Sequence, residues 1–402
     1  MVRYVKTGNL SEKIRPYYDS ELIKVITGLR RCGKSVLLEQ IRQELLEKGI
    51  AETHIIYINF EDYRYRKLAD PELFYQYIEE KIDDSGKFYL MFDEIQHVTD
   101  FEPVVNSFRA THNVSIFITG SNAKLLSGEL ATHLGGRTLS FRMMPFNFKE
   151  YCQLHSGRDK RELLREYMQY GGIPIVSLAD TPEMKEEILA NLYDSIVLKD
   201  IVMRNKVASP SALEKVLEFL TANSSLTISG QSIARSLSDR TQKVTAPTVY
   251  DYIRYIVDSC IMNKVERYDI RGKKVLAFEE KTYICDLGFF NLKKNRIKFE
   301  YGSMVETLIY NELIARGYRV YIGKTYKGEV DFIAQKGSKK IYIQAAYHLD
   351  SEETVSREFG AFADIRDNYP KYVVSYDDWQ MDDIDGIIHL PLIDFLLNET
   401  LI

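Results

Sequence analysis

The sequence predicts an α/β fold that begins with a parallel β-sheet, and three short apolar segments support this prediction. Residues 22–27, 88–92 and 114–119 are each of strand length and rich in β-branched or aromatic residues, as buried parallel strands are. The first segment is followed by apolar residues at helical spacing, which end at Gly49. Alternation of strands and helices is typical of a parallel sheet covered by helices.

The composition fits a chain of two or three folded domains. The 402 residues are 45% hydrophobic and carry a net charge of −5, so any nucleic-acid contact requires a local basic patch. The four cysteines form no CxxC pair, which predicts reduced thiols in a cytosolic protein. A polar N-terminus and the lack of a long apolar stretch predict a cytoplasmic protein without a membrane segment.

A phosphate-binding motif directly follows the first strand. Residues 28–35 match G-x-x-x-x-G-K-[ST] between a strand and a helix, the context that this P-loop motif requires. The glycines let successive N–H groups face a phosphate, Lys34 reaches the β- and γ-phosphates, and the Ser35 hydroxyl binds Mg²⁺. The pattern therefore predicts a site for ATP or ADP with Mg²⁺, and GTP is the alternative nucleotide. The predicted nucleotide-binding residues are Gly28, Leu29, Arg30, Arg31, Cys32, Gly33, Lys34, Ser35 and Val36.

Two carboxylates end the second predicted strand. Asp93 and Glu94 follow five apolar or aromatic residues, at the end of the strand where an open α/β sheet binds its ligands. Asp93 is predicted to hold Mg²⁺, directly or through a water molecule. Glu94 is predicted to polarise the attacking water, so the pair indicates hydrolysis in addition to binding.

Further catalytic candidates follow the third strand. Ser121 and Asn122 stand at its tip, where a polar side chain can sense the γ-phosphate, but an ordinary Asx-type turn explains them equally well. Arg137 follows two glycines and is a candidate for contact with a phosphate of the same chain or of a neighbouring subunit. Arg142 competes for that role, and a solvated surface arginine is the alternative for each.

These motifs together resemble the prokaryotic AAA-type ATPases that carry a C-terminal DUF4143 domain. The resemblance implies an AAA-like P-loop domain, a helical lid, a winged-helix-like middle and a C-terminal α/β domain similar to restriction endonucleases of the PD-(D/E)XK class. The predicted boundaries are 1–148, 149–208, 209–280 and 281–402. The resembling stretches are residues 23–35, 88–94, 118–126, 135–137, 144–148, 170–174, 199–204 and 281–288, and the C-terminal third.

The middle of the chain is predicted to be helical and then to form a hairpin. Residues 149–205 show helical patterns that are broken at 171–174, where a Gly-Gly before proline indicates a hinge or an ordinary turn. Three helical patterns follow, the second capped by Ser229, and then a hairpin around Arg271 and Gly272. Residues 235–274 hold nine Lys or Arg against five Asp or Glu, which suits either DNA contact or a plain packing module.

The C-terminal domain departs from the nuclease pattern that it resembles. The resemblance places Glu306 and Asp331 at the helical and first-strand acidic positions, with Glu329 on the same strand face as Asp331. Gln344 and Ala346 stand where an acid and a lysine are expected, and neither replaces the missing chemistry. Three interpretations remain: a fold kept for packing, a fold kept for binding nucleic acid or protein, and a nuclease that uses other residues such as Lys340.

Three functional hypotheses follow. The first is an ATPase whose nucleotide state moves modules that bind double-stranded DNA or a protein partner, either as a monomer or as a homo-oligomer. The second is a slow nucleotide-gated switch, and the third is an endonuclease under ATP control. The Asp93–Glu94 pair favours the first over the second, and Gln344 argues against the third.

Overall fold

Residues 8–121, 134, 136–238, 244–292, 301–326, 328–398 and 400 are described by a computed structural model of the chain. They form two units, the first from Met1–Met144 with Asp258–Cys260 and the second from Pro145–Val257 with Ile261–Ile402. Within the described ranges, no helix is long and apolar enough to cross a bilayer.

The first unit is built on a parallel sheet of five strands in the order β2-β3-β4-β1-β5. Every residue of β1, β3 and β4 is buried, which explains why the sequence shows continuous apolar runs there. The three strands predicted from those runs are confirmed. The strands are β1 (Ile23–Gly28), β2 (Ile55–Asn59), β3 (Phe88–Asp93), β4 (Val114–Gly120) and β5 (Thr138–Met143), and the helices are α1 (Gly8–Ile14), α2 (Lys34–Glu47), α3 (Pro71–Glu79) and α4 (Phe101–Thr111).

An aromatic cluster holds one face of this sheet. Phe74 of α3 is fully buried, and its ring meets Phe92 of β3 edge-on at 4.9 Å and Phe60 at 5.3 Å between centroids. Burying one such side chain stabilises the fold by roughly 1.5–3 kcal/mol. Because side chains alternate along a strand, the packing of Phe92 into this core directs the next residue, Asp93, to the opposite face.

The second unit begins with helices, as predicted. The break predicted at 171–174 is present: residues 171–173 separate α6 from α7, which begins at Pro174. The side chain of Ser229 caps α10 by accepting from the Ser232 N–H at 3.3 Å. The helices are α5 (Phe148–Leu154), α6 (Lys160–Tyr170), α7 (Pro174–Ser177), α8 (Pro182–Ser195), α9 (Pro210–Ala222), α10 (Gly230–Leu237) and α11 (Ala246–Asp258), with a π-helix at Ile196–Met203.

A buried aspartate contacts both glycines in that loop and explains the first of them. The Asp286 carboxylate accepts hydrogen bonds from the Gly172 N–H at 2.7 Å and the Gly288 N–H at 2.8 Å. A Cβ at Gly171, whose φ is 75°, would lie only 1.7 Å from an oxygen of Asp286. The Gly-Gly pair is therefore a tertiary docking point for Asp286 within the second unit.

The second unit ends in a mixed sheet of seven strands in the order β12-β11-β10-β9-β8-β6-β7. The hairpin predicted around Arg271 is present, but β6 also pairs in parallel with β8, through Arg267 and Ile322. The predicted boundary at 280 lies inside β7, and residues 281–284 continue that strand. The strands are β6 (Met262–Asp269), β7 (Lys274–Ile284), β8 (Arg319–Lys324), β9 (Glu329–Lys336), β10 (Lys339–Ala346), β11 (Lys371–Ser375) and β12 (Ile387–Pro391), and the helices are α12 (Leu287–Leu292), α13 (Tyr301–Ala315), α14 (Glu352–Gly360) and α15 (Leu392–Leu397).

Candidate functional site

The loop between β1 and α2 has a backbone that its residue types explain. Gly33 caps α2 in the left-handed region at φ 107°, and Arg31 also has a positive φ of 63°. A Cβ on Gly28 would lie 2.3 Å from the Met143 carbonyl oxygen, so no larger residue fits there. The loop therefore ends at the amino terminus of a long helix, where free N–H groups and the helix dipole favour an anion.

Lys34 is buried beneath this loop and is already ion-paired. Its side chain is 4% exposed, its Nζ donates to the carbonyl oxygens of Gly28 and Leu29, and Glu94 Oε1 lies 3.4 Å away. Burial lowers the pKa of Lys34, but the charges around it, including Glu94, produce a net rise. The ammonium is thus held charged and close to where a phosphate would lie.

Asp93 is fully buried at the end of β3 and accepts several hydrogen bonds. Thr119 Oγ1 donates to it at 2.5 Å, the Tyr57 hydroxyl donates at 3.1 Å, and the Ser35 hydroxyl is also hydrogen-bonded to it. Burial nevertheless raises the pKa of Asp93, and the neighbouring Glu94 raises it further. Ser35 and Asp93 therefore present adjacent hard oxygen ligands of the kind that Mg²⁺ prefers.

Glu94 has a strained backbone that turns it toward Lys34. Its φ is 54°, in the left-handed region that a non-glycine residue rarely adopts, and its N–H donates to Thr119 Oγ1 at 3.0 Å. Gln96 Nε2 donates to its carboxylate. Burial raises the pKa of Glu94, but Lys34 and Gln96 more than offset that effect, and the net shift is downward. The carboxylate is therefore ionised and able to accept a proton.

The register of the sheet brings these residues together. Because β4 lies between β1 and β3 and all three run in parallel, the ends carrying Gly28, Asp93 and Gly120 meet at one edge. Ser121 follows β4 at this edge, is 2% exposed, and its buried hydroxyl has no hydrogen-bond partner among the described residues. An orphaned hydroxyl here fits a polar ligand. Asn122, the other predicted sensor, lies outside the described residues.

The predicted role of Arg137 within its own chain needs correction. Arg137 precedes β5, and the register pairs Ile23 with Thr138 but Gly28 with Met143. Arg137 thus lies at the opposite end of the sheet from the P-loop, about 20 Å away along the strand, which is beyond the reach of its side chain. Arg142 pairs with Thr27 near the P-loop edge, and within the described part of the chain its buried Nε has no hydrogen-bond partner.

Sequence reasoning missed two residues that orient Asp93. Thr119 binds both Asp93 and the backbone of Glu94. Its position at the end of a strand predicted beside the acidic one was a usable signal. Tyr57 comes from β2, which the sequence analysis did not identify, and its contact depends on the register that sets Asn59 opposite Asp93. No local pattern indicates that contact.

The four residues assigned to a degenerate nuclease site surround one cavity in the second unit. Glu306, Glu329, Asp331 and Gln344 line a cavity of about 790 Å³ together with Glu358 of α14. Lys281 of β7 reaches the same cluster, with its Nζ 2.7 Å from Glu329 and 3.2 Å from Glu306. The structure therefore supplies a lysine to these carboxylates from a strand that the sequence motif does not include.

Gln344 is also connected to an acid from outside the motif. Its Nε2 donates to Glu358 at 3.0 Å, and its Oε1 accepts from the Asp331 N–H at 3.2 Å. Burial raises the pKa of Asp331 well above its ordinary value, and the nearby Glu306 raises it further. Among the described residues, no three acidic, histidine or cysteine side chains come together as a metal-binding set.

A buried Ser–His–Asp network near the end of the second sheet is structural. The Met381 N–H donates to His389 Nδ1 at 3.0 Å, so Nε2 carries the proton and donates to Ser375 Oγ at 2.8 Å. The Ser375 hydroxyl in turn donates to Asp377 at 2.8 Å. The serine thus gives its proton to a carboxylate instead of to the histidine, the reverse of what an activated nucleophile requires.

Models of three families match consecutive parts of the chain. An AAA domain matches residues 20–152, a domain of unknown function (DUF8612) matches residues 161–297, and a second domain of unknown function (DUF4143) matches residues 301–394. The AAA match contains the P-loop, Asp93 and Glu94. The DUF4143 match contains Glu306 and most of the second sheet.

The chain is similar over nearly its whole length to two proteins. It is 37% identical over 399 residues to an uncharacterized protein of Haemophilus influenzae, covering 98% of this chain and 99% of that one. It is 31% identical over 376 residues to an uncharacterized protein of Methanocaldococcus jannaschii, covering 89% of this chain and 82% of that one.

Two solved structures overlap with the chain more loosely. A crystal structure of Cdc6p from Pyrobaculum aerophilum gives a TM-score of 0.31 at 12% identity and covers 74% of this chain and 98% of that one. The Aeropyrum pernix Orc1 protein in complex with DNA gives a TM-score of 0.29 at 14% identity, covering 73% of this chain and 92% of that one.

Proposed function

Because the chain belongs to the family of AAA-domain proteins with a C-terminal DUF4143 domain, we propose that it binds and hydrolyses ATP with Mg²⁺ at the P-loop. One observation carries the proposal: Lys34 and Glu94 lie 3.4 Å apart, and Ser35 is hydrogen-bonded to Asp93, all at one edge of a parallel sheet. A phosphate-binding lysine, two metal-binding oxygens and a basic carboxylate are the parts that phosphoryl transfer to water requires.

The proposed mechanism begins with an exchange of partners. Without nucleotide, Lys34 neutralises Glu94. A bound triphosphate offers Lys34 a stronger partner, and the loss of this ion pair leaves Glu94 free to take a proton from the attacking water. Ser35 and Asp93 would hold Mg²⁺, whose contribution is to neutralise charge on the phosphate oxygens. The ionised state of Glu94 and the charged state of Lys34 prepare the site for this exchange.

Steady-state hydrolysis of ATP by the purified chain, with and without Mg²⁺, tests the proposal. Lys34→Ala is expected to lower turnover at least about 10²-fold, the typical effect of removing one group that stabilises the transition state. Lys48→Ala is the matched control, since Lys48 is an exposed lysine just beyond the end of the same helix. Equal turnover of wild type and Lys34→Ala would exclude the P-loop as the site of hydrolysis.

We further propose that Arg137 acts between subunits of a homo-oligomer, because the sheet register excludes it from the phosphate of its own chain. Turnover per molecule should then rise with protein concentration, and Arg137→Ala should abolish the rise. A flat dependence on concentration would contradict this role, while leaving hydrolysis by the single chain intact.

The finer proposal is that the nucleotide state rearranges the modules that follow, one of which contacts double-stranded DNA. The turn between β6 and β7 carries Arg271, Lys273 and Lys274, which are exposed and form no ion pair with a described residue. Other basic residues nearby are ion-paired, for example Lys264 with Glu280. The unpaired residues at this turn form the local basic patch that contact with DNA phosphates requires.

Stimulation of ATP turnover by duplex DNA tests this part. A double change of Arg271→Glu and Lys273→Glu should remove the stimulation and leave basal turnover unchanged, since the residues lie on a surface hairpin. Stimulation that survives the double change would place the DNA contact elsewhere.

If the wild type turns over ATP no faster than Glu94→Gln, the slow nucleotide-gated switch is the better account.

We also propose that the C-terminal cavity has no nuclease activity of the usual metal-dependent kind. Lys281 bridges Glu306 and Glu329, and Gln344 stands at the expected acidic position. Lys281 thus supplies a resident ammonium group to two of the carboxylates of this cluster. Mg²⁺-dependent nicking of a plasmid by the purified protein, lost in Asp331→Ala, would contradict this proposal.

A further inference from the structure

Three tyrosine rings form a ladder in the second unit. The rings of Tyr301 and Tyr347 are stacked at 4.9 Å between centroids with an interplanar angle of 16°, and Tyr347 stacks on Tyr376 at 5.4 Å and 22°. Tyr301 is 50% exposed, so the outermost ring of the ladder keeps a face in contact with solvent. Exposed aromatic rings in this arrangement are surfaces on which a planar ligand can stack.

A small cavity adjoins the ladder. It measures about 260 Å³ and is lined by the three tyrosines together with Arg165, Gln169 and Asn291, among other residues. Pockets for drug-sized ligands usually begin at roughly 300 Å³. The cavity therefore suits one planar ring system and leaves no room inside it for an attached sugar and phosphate.

Two side-chain amides in the cavity wall have fixed orientations. Asn291 Nδ2 donates to the carbonyl oxygens of Met168 at 2.8 Å, Gln169 at 3.0 Å and Leu287 at 3.0 Å, so its amide hydrogens are all engaged. Gln169 Nε2 donates to the Tyr170 hydroxyl at 3.0 Å. The side-chain oxygens of both residues are left as acceptors, which suits a ligand with an amino group.

The rim of the cavity is cationic. Arg165 of α6 is exposed and forms no ion pair with any residue in the described part of the chain. An unpaired guanidinium beside an aromatic cavity favours a ligand that joins a planar ring to an anionic group.

We propose that this cavity holds an unpaired nucleobase of a single-stranded nucleic acid. The base stacks on the tyrosine ladder, its exocyclic amino group donates to Asn291 or Gln169, and the adjoining phosphate lies against Arg165. Arg165 can hold one phosphate, and the exposed ring of Tyr301 offers a stacking surface to a second base. A strand can use both features at once, so it is favoured over a free nucleotide. This inference does not depend on ATP hydrolysis at the P-loop.

Fluorescence anisotropy with a labelled oligodeoxyadenylate tests the proposal. The full chain carries Lys34→Ala and Mg²⁺ is omitted, so that the P-loop does not contribute. Binding should be tighter to the single strand than to a duplex of equal length. Tyr301→Ala should weaken it about 5- to 150-fold, the effect of losing one stacked base, and Tyr301→Phe should restore it. Oligodeoxythymidylate should bind more weakly, because thymine has no amino group.

A second variant and a control keep the test independent of folding. Arg165→Ala changes an exposed side chain and should weaken binding while reducing the salt dependence, by about 0.7 in the slope of log affinity against log salt. Tyr326→Ala removes a tyrosine that is 84% exposed and does not line the cavity, and it should change nothing. The proposal is overturned if the wild type does not bind the single strand, or if neither Tyr301→Ala nor Arg165→Ala weakens binding. It is also overturned if adenosine monophosphate competes as well as the strand at equal nucleotide concentration.

Discussion

Replacing Lys281 by methionine is expected to destabilise the second unit strongly. Lys281 is almost fully buried, with its side chain 5% exposed, and its Nζ contacts Glu306 at 3.2 Å and Glu329 at 2.7 Å. Methionine keeps the length of the aliphatic chain but removes the charge. The two carboxylates then lose a cation that they share, and the effect on each depends on what partners remain.

The loss of the Lys281 charge affects Glu306 more than Glu329. Glu329 is 32% exposed and keeps an ion pair with Arg267 at 3.0 Å, whereas Glu306 is 13% exposed and keeps the hydroxyl of Tyr283 at 2.6 Å. Removing one partner of a buried ion pair typically costs about 3–5 kcal/mol. Because Glu306 can take up a proton, we expect the lower end of that range, about 3 kcal/mol of unfolding free energy.

Urea unfolding followed by the fluorescence of Trp379 measures the unfolding free energy of the second unit. Trp379 is the single tryptophan of the chain and lies within the second unit, where its ring is 5.6 Å from that of His389 between centroids. Lys264→Met is the matched control, since Lys264 is a half-exposed lysine of the same hairpin that pairs with Glu280. An exposed pair of this kind contributes at most about 1 kcal/mol. A loss in Lys281→Met no greater than in Lys264→Met would refute the reasoning.

The pH dependence supplies a second test. Burial raises the pKa of Glu306, and Lys281 opposes that rise, so the variant should have a still higher pKa at this position. The folded variant then binds a proton that the unfolded chain has released, so its unfolding free energy falls as pH rises. The difference between variant and wild type should therefore shrink in acid. The double change of Lys281→Met with Glu306→Gln should recover part of the loss at neutral pH.

Two further predictions concern buried charges. Burial lowers the pKa of Lys24 in β1 to about 7, so the unfolded chain binds more protons above that pH and stability should rise with pH. Raising the pH from about 7 to about 9 should stabilise β1 by about 2 kcal/mol in the wild type but not in Lys24→Met. Hydrogen exchange of the β1 amides, corrected for intrinsic rates, measures this change. An equal dependence of stability on pH in the two proteins would contradict the prediction. Asp286→Asn should cost about 1–3 kcal/mol in the Trp379 assay, because an amide accepts from only one of the two glycine N–H groups and its NH₂ opposes the other. An unchanged midpoint would show that Asp286 is not the anchor of the loop.

The sequence was most informative where chemistry depends on adjacent residues. The P-loop requires glycines and a lysine at fixed spacing, so the motif itself located Gly28, Gly33 and Lys34, and the backbone agrees with the need for glycine at both positions. The acidic pair was found because it follows an apolar strand, at the end where an open α/β sheet binds its ligands. The three central strands β1, β3 and β4 could likewise be identified from their continuous apolar character.

The sequence was least informative where contact depends on strand register. Arg137 follows two glycines, a local signal, but only the pairing of Ile23 with Thr138 shows that it lies at the far edge of the sheet. Lys281 and Glu306 are 25 residues apart, and their contact requires that β7 and α13 pack together within the second unit. Such contacts follow from tertiary packing, which no local spacing encodes.

The same limit applies to the middle of the chain. Three helices and a hairpin were predicted correctly as elements, because each has its own apolar period and turn residues. The pairing of β6 with β8 could not be predicted, because these strands are parallel and no tight turn joins them. Gly171 was likewise visible, but the reason for a glycine there, the carboxylate of Asp286, lies over a hundred residues further along the chain.

The central claim is that Glu94 activates water at a P-loop that binds Mg²⁺ and ATP, and comparing binding with hydrolysis in Glu94→Gln tests it most directly. Glutamine keeps the shape of the side chain but cannot take the proton, so turnover should fall about 10²- to 10⁴-fold while ATP still binds. Loss of the ion pair with Lys34 should leave ATP affinity equal or higher, because Lys34 no longer has to exchange partners.

Glu61→Gln is the control for this measurement, since Glu61 is an exposed acid that pairs with Arg30 of the P-loop. The account predicts normal turnover in Glu61→Gln, and in Glu94→Gln a protein that binds ATP tightly and hardly hydrolyses it. Wild-type turnover in Glu94→Gln would contradict the account, because some other group would then have to activate the water.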